Sequence, residues 1–141
     1  MSVLLIAEDV DDIAMILVRL FRREGMTVLH GADGAEAYDL AVEHRPDVIL
    51  TDLGMPRVDG WGLLKSVREN PDLRDTPVAI LTGQLQPGDT RVSDSGACCL
   101  LLKPCPNDQL KAEIKRLTDA GPHGHTFSAA GCLNHATTNV N

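Results

Sequence analysis

Aromatic residues are almost missing from this chain. One Trp, one Tyr and two Phe among 141 residues leave an interior that aliphatic side chains must fill. Basic charge is also short. Thirteen Lys and Arg stand against twenty Asp and Glu, a formal net charge of -7. That balance argues against nucleic acid, whose phosphates need a basic footprint, and against an anionic membrane surface. The apolar run near the N-terminus, "VLLIA", is far too short for a signal-peptide core or a membrane span. Cysteines are few, at 98, 99, 105 and 132, and the adjacent Cys98 and Cys99 sit in an apolar run. They read as small core residues and not as a disulfide frame. The expectation is a cytoplasmic protein that binds neither nucleic acid nor membrane. Its length suits one domain with one core.

What is present is a regular alternation. "VLLIA" fits a strand buried on both faces. Ile13, Ile16, Leu17, Leu20 and Phe21 then recur at helical spacing, with Asp11 or Asp12 as cap and Gly25 as terminator. "TVLH" is a second strand. "DGAEAYDLAVEH" is a second helix, with Asp33 and Glu36 arranged as a capping box, an apolar stripe of Ala37, Leu40 and Ala41, and Pro46 as the stop. "DVILTD" is the third strand, and Leu63, Leu64 and Val67 mark a helix that ends before Pro71. "VAILT" and "CCLLL" are further strands. Between them "GQLQPGDTRVSDSGA" is a poor helix former, with Pro87 and Gly88. A last helix carries Leu110, Ile114 and Leu117 on one side and is capped near Asn107. Five βα units in strict alternation imply an α/β fold: a parallel sheet with helices on both faces, joined by right-handed crossovers.

From Thr118 to Asn141 periodicity and charge fade, which predicts a flexible tail. A sharper reading makes 118–141 a dimer arm using Phe127, Leu133 and Val140. His123, His125, Cys132 and His135 offer zinc-type ligands, though histidines in a loose tail are commonly only that.

In open parallel sheets, ligands bind at the carboxyl ends of the strands. Strand one delivers Glu8 and Asp9 there, strand three Asp52, strand four Thr82, and strand five Lys103 followed by Pro104. Carboxylates crowded at one edge repel one another unless a cation compensates. Mg²⁺ is the natural partner, a hard ion that takes carboxylates, waters and a phosphate. Lys103 adds fixed positive charge and Thr82 a hydroxyl. Phosphoryl transfer asks little more of a protein than positioning and charge stabilisation, and a carboxylate can itself be the nucleophile. Asp52, alone on the central strand, is the natural acceptor, with Glu8 and Asp9 as metal ligands. In "VILTDLGMPRVDG" the strand holds Asp52, and Gly54 lets the chain turn so that its carbonyl faces the same ion.

These residues resemble a bacterial two-component response-regulator receiver domain of the single-domain, chemotaxis-regulator type. The matching pieces are "LLIAED", "DLGMPRVDG", "VAILTG" and "GACCLLLKP", in family order over about Val3 to Leu117. The resemblance implies a flavodoxin-like (βα)5 three-layer sandwich of strand order 2-1-3-4-5, with residues 1–117 as the receiver domain. It implies that Asp52 takes a phosphoryl group from a sensor histidine kinase. Mg²⁺ would be held by Glu8, Asp9, Asp52 and the Gly54 carbonyl, and Thr82 and Lys103 would contact the phosphoryl oxygens. It also implies a cis Lys103–Pro104 peptide. Three positions depart from the pattern. Leu100 replaces the usual switch aromatic, Cys105 a common Phe, and Gly83 the usual Ala. With no effector domain read after Leu117, output is expected through an unknown downstream protein or onward phosphotransfer, with a homodimer possible.

Two rivals differ in class. An aspartyl phosphatase would want a second acid two residues after the nucleophile, where this chain has Gly54. A flavin carrier would want Ser, Thr and Gly after strand one to cradle a phosphate, where Glu8 and Asp9 would repel it. The protein is therefore expected to be a switch and not an enzyme, beyond its own phosphorylation and dephosphorylation.

Overall fold

The computed structural model describes residues 2–55, 57–83, 97–103 and 105–120. Its elements are β1 (Val3–Ala7), α1 (Asp11–Arg23), β2 (Thr27–Gly31), α2 (Gly34–His44), β3 (Val48–Thr51), α3 (Gly60–Glu69), β4 (Val78–Thr82), β5 (Cys99–Leu102) and α4 (Asn107–Ala120). All strand pairs are parallel, and the order is β2-β1-β3-β4-β5. This is the expected flavodoxin-like sandwich.

Alternation along the strands divides the core. Leu4 and Ile6, Val48 and Leu50, Ala79 and Leu81, and Cys99 and Leu101 face one layer, with Leu17 and Phe21 of α1 and Leu110, Ile114 and Leu117 of α4. Leu5 and Ala7, Ile49, and Val78 and Ile80 face the other, with Ala37 and Ala41 of α2 and Leu63, Leu64 and Val67 of α3. Central strands buried on both faces explain why they read as unbroken apolar runs. Cys98 and Cys99 are fully buried free thiols, as expected of small core residues.

Local signals were followed with three adjustments. The stripe of α1 buries Ala14, Leu17 and Phe21, while Ile16 is 60% exposed because it lies about 100° round the helix from Leu17. Val10 takes the N-cap place without a side-chain bond, and Asp11 and Asp12 fall inside the first turn. There they face the positive end of the helix dipole instead of capping it. On α2, Asp33 accepts from the Glu36 amide at 2.8 Å. The Glu36 carboxylate reaches back past the cap to the Ala32 amide at 3.3 Å, so the box is offset by one residue. Gly25, at φ 87°, terminates α1 as anticipated.

Helix α4 runs three residues beyond Leu117, supported by the Thr118 hydroxyl on the Ile114 carbonyl and by a Lys115–Asp119 pair. The arm residues Phe127, Leu133 and Val140, the set His123, His125, Cys132 and His135, the stretch 84–96 and Pro104 lie outside the described residues.

Candidate functional site

Strands end where their apolar runs end, and here those ends carry the chemistry. The Glu8 amide continues the β1–β2 ladder, donating to the Gly31 carbonyl at 3.1 Å. The Asp52 amide does the same for β3 and β1, donating to Ala7 at 3.0 Å. Backbone pairing therefore sets Glu8 and Asp52 on adjacent strands at one edge. One carboxylate oxygen from each of Glu8, Asp9 and Asp52 lies within 4.8 Å of the others. Opposite ligands of Mg²⁺ stand about 4.2 Å apart, twice its roughly 2.1 Å bond, so a small inward adjustment of the carboxylates at most would let them share one such ion.

Lys103 comes from the far side. The Lys103 amide donates to the Thr82 carbonyl at 2.9 Å, extending the β4–β5 ladder. Its ammonium donates to Glu8 Oε1 and Asp52 Oδ2, each at 3.1 Å. The remaining carboxylate oxygens are held too: Glu8 Oε2 by the Asp9 amide at 3.0 Å, and Asp52 Oδ1 by the Leu53 amide at 2.6 Å. Burial pushes the Glu8 carboxyl above its ordinary range, with the Asp52 charge adding to the effect and Lys103 opposing it. Burial pulls the Lys103 ammonium down, but the hydrogen bonds and charges of Asp52 and Glu8 outweigh it, and its pKa is raised. The carboxylate pair thus holds a cation firmly, with Lys103 in that role.

Thr82 is fully buried at the end of β4. Thr51 is level with Ile80 in the sheet, so Thr82 stands two positions further out along the same edge. Gly54 lies in the loop leaving Asp52 and is half-buried. Among the described residues of that loop, Arg57 holds left-handed backbone, at φ 61°. Leu100 is half-buried against the α2–α3 layer, and Cys105 packs on the opposite one. A methyl on Gly83 would meet the Lys103 Cβ at 3.6 Å, ordinary contact, so alanine fits there.

The structure adds residues that sequence reasoning passed over. His30 Nε2 donates to the Glu8 carbonyl at 2.8 Å and steadies the first acid from β2. Gly60 opens α3 directly against the exit of β3. A Cβ there would overlap the Asp52 carbonyl and stand 2.8 Å from the Leu53 Cα. Only glycine lets α3 pass this close, and the Asp-Gly pair at 59–60 was the visible sign. Arg57 pairs with Asp33 of the α2 N-terminus, for which nothing local in the sequence gave notice.

Residues 4–115 match the family model described as "Response regulator receiver domain". The chain belongs to that family. The transcriptional regulatory protein PrrA of Mycobacterium tuberculosis is 36% identical over 115 residues, 80% of this chain and 48% of PrrA. The chain spans about half the length of the first curated relatives it matches. The polar-differentiation response regulator DivK of Brucella anthropi is 37% identical over 95 residues, 67% of this chain and 76% of DivK. Among solved structures, the signal receiver domain of a signal transduction histidine kinase from Syntrophus aciditrophicus superposes with a TM-score of 0.81. Its identity is 32%, covering 90% of this chain and 97% of that one. The chemotaxis response regulator CheY4 of Vibrio cholerae gives 0.76 at 29% identity, covering 83% and 98%. This receiver domain is thus a two-component signalling module with an acidic pocket of the type that binds Mg²⁺ in its family. No helix among the described residues is long and apolar enough to cross a membrane.

Proposed function

We propose that this receiver domain is a phosphoryl-accepting switch, with Asp52 as acceptor and the phosphohistidine of a sensor kinase as donor. The observation that carries the reading is the Lys103 ammonium, 3.1 Å from both Glu8 and Asp52 where three carboxylates converge. Glu8, Asp9, Asp52 and the Gly54 carbonyl would hold Mg²⁺. Bound there, the ion neutralises charge on the phosphoryl oxygens. In the transfer, an Asp52 carboxylate oxygen forms a bond to phosphorus as the donor's phosphorus–nitrogen bond breaks. The electron pair leaves with the imidazole nitrogen, which takes up a proton. Lys103 exchanges a carboxylate partner for a phosphoryl oxygen, and the Thr82 hydroxyl donates to another. The new charge on Asp52, about -2, biases the surrounding loops between two states.

A downstream protein reads the favoured state or receives the phosphoryl group in turn. Gly54, standing where an aspartyl phosphatase has its second acid, supports a switch over an enzyme acting on other substrates. The cytoplasm, where sensor kinases present phosphohistidine, is the matching location. A small acyl-phosphate donor with Mg²⁺ is expected to add one phosphoryl mass to the protein, and Asp52→Asn to abolish the addition. Equal labelling of the Asn variant in intact-mass spectra would overturn the assignment.

A further inference from the structure

The loop that leaves Asp52 is tied to a part of the chain that the reaction itself does not use. Asp33, at the N-terminus of α2, has a side chain only 1% exposed. One oxygen accepts from the Glu36 amide, and the other pairs with the guanidinium of Arg57. Arg57 holds a left-handed backbone, φ 61°, which non-glycine residues keep only where their surroundings impose it. A second tie lies beside the first: the Gly34 amide donates to the Val58 carbonyl at 2.7 Å. A Cβ on Gly34 would stand 2.7 Å from the Val58 Cγ1, so the two segments are in close contact.

Topology gives this latch its interest. β2 and β3 flank β1 on opposite sides. A tie from the residues after β2 to the loop after β3 therefore spans the end of β1, where Glu8 and Asp9 stand. Asp33 is two residues past Gly31, whose carbonyl accepts from the Glu8 amide. Joined by the chain from Gly31 to Asp33 and from Asp52 to Arg57, the Glu8–Gly31, Asp33–Arg57, Asp52–Lys103 and Lys103–Glu8 contacts close a ring.

We propose that Asp33 and Arg57 are positioning residues for the cation site, their ion pair holding the Leu53–Asp59 loop in the register that lets Asp52 and Gly54 act with Glu8 and Asp9. The proposal rests on the reading of Asp52 as a Mg²⁺-dependent acceptor. Outer partners of this kind orient first ligands, and their loss typically lowers metal affinity at least about tenfold.

Two variants separate positioning from folding. Asp33→Asn keeps an oxygen for the Glu36 amide but removes the charge. Arg57→Gly removes the guanidinium while relieving the left-handed backbone. Calorimetric titration of the full chain with MgCl₂ reads affinity directly, and urea unfolding in chelator reads stability without metal. Each variant is expected to bind Mg²⁺ about tenfold more weakly, and the double variant no worse than the weaker single. Arg57→Gly is expected to keep its unfolding midpoint in chelator. Affinities within about twofold of wild type for both variants, well short of the outer-partner effect, would overturn the proposal. If the wild type binds Mg²⁺ and labels on Asp52 while both variants match it, this inference alone falls. If the wild type takes up no Mg²⁺, the functional reading falls with it.

Discussion

Between β1 and α1 Glu8 is pinned by Gly31, His30 and Lys103, but Asp9 and Val10 beyond it are exposed, and α1 starts without a side-chain cap. Between β3 and α3 the described residues are fastened at several points. The Leu53 amide bonds Asp52, the Gly60 amide bonds the Leu53 carbonyl at 3.0 Å, Arg57 pairs with Asp33, and Asp59 caps α3 through the Gly62 amide at 2.9 Å. Acids do opposite work in the two places. In the second loop Asp59 spends its carboxylate on a helix end. In the first, Asp9 is left exposed beside the buried Glu8, within reach of Asp52. The contrast suits the proposed roles, in which Asp52 as acceptor would be held still while Asp9 as a metal ligand could re-aim. A fixed acceptor keeps attack geometry, and a cation that comes and goes needs ligands that can adjust.

The largest way to break the contrast is to loosen the fastened loop. Gly60→Ala drives a methyl into the backbone of Asp52 and Leu53, which cannot rotate aside. A loss of about 2–3 kcal/mol in urea unfolding is expected, together with slower labelling of Asp52. Unchanged unfolding would mean that α3 is not seated against β3 this closely.

Next is the cation that ties the loops together. Lys103→Met leaves Glu8 facing Asp52 uncompensated. In chelator it is expected to cost about 2 kcal/mol, less than the roughly 3–5 of a fully buried pair, because the ammonium is 28% exposed. Mg²⁺ should recover much of that loss, and it should bind more tightly than to wild type because no ammonium competes for the site. Since the folded pKa of Lys103 is raised, its stabilisation is complete below the ordinary value of 10.5 and fades as pH rises through the raised one. The wild type's margin over Lys103→Met should therefore stay flat from neutral pH to that value and shrink above it in chelator. A margin already shrinking near pH 8 would refute the pairing.

The smallest effects sharpen the comparison at the caps. Asp59→Ala should cost about 1 kcal/mol, and Val10→Ser should gain a few tenths to about 1 by giving α1 the cap it lacks. Equal and negligible changes in thermal unfolding at the two positions would erase the difference between the loops.

The alternation of strands and helices was legible because each element carries its own signal. Leu4 to Ala7 reads as a doubly buried strand, Asp33 as a cap, and Gly25 as a helix end, all from neighbours in the chain. The acids, the lysine and the threonine were legible as a set because a parallel sheet sends every strand's carboxyl end to the same edge. Ile16 was misplaced on α1 because a periodic stripe does not mark its own margin. Asp11 and Asp12 looked like caps, but the strand-to-helix turn put Val10 at that place.

Composition and spacing alone settled the class of fold, the split of the core between two helical layers, and the acidic edge with one lysine opposite. Those follow from periods of two and 3.6 residues and from where apolar runs stop. The packing of Gly60 against Asp52, the His30 bond to Glu8 and the Asp33–Arg57 tie were decided only in three dimensions. Each joins residues 8 to 24 positions apart, and no local preference of either partner announces a contact that register and close packing must create.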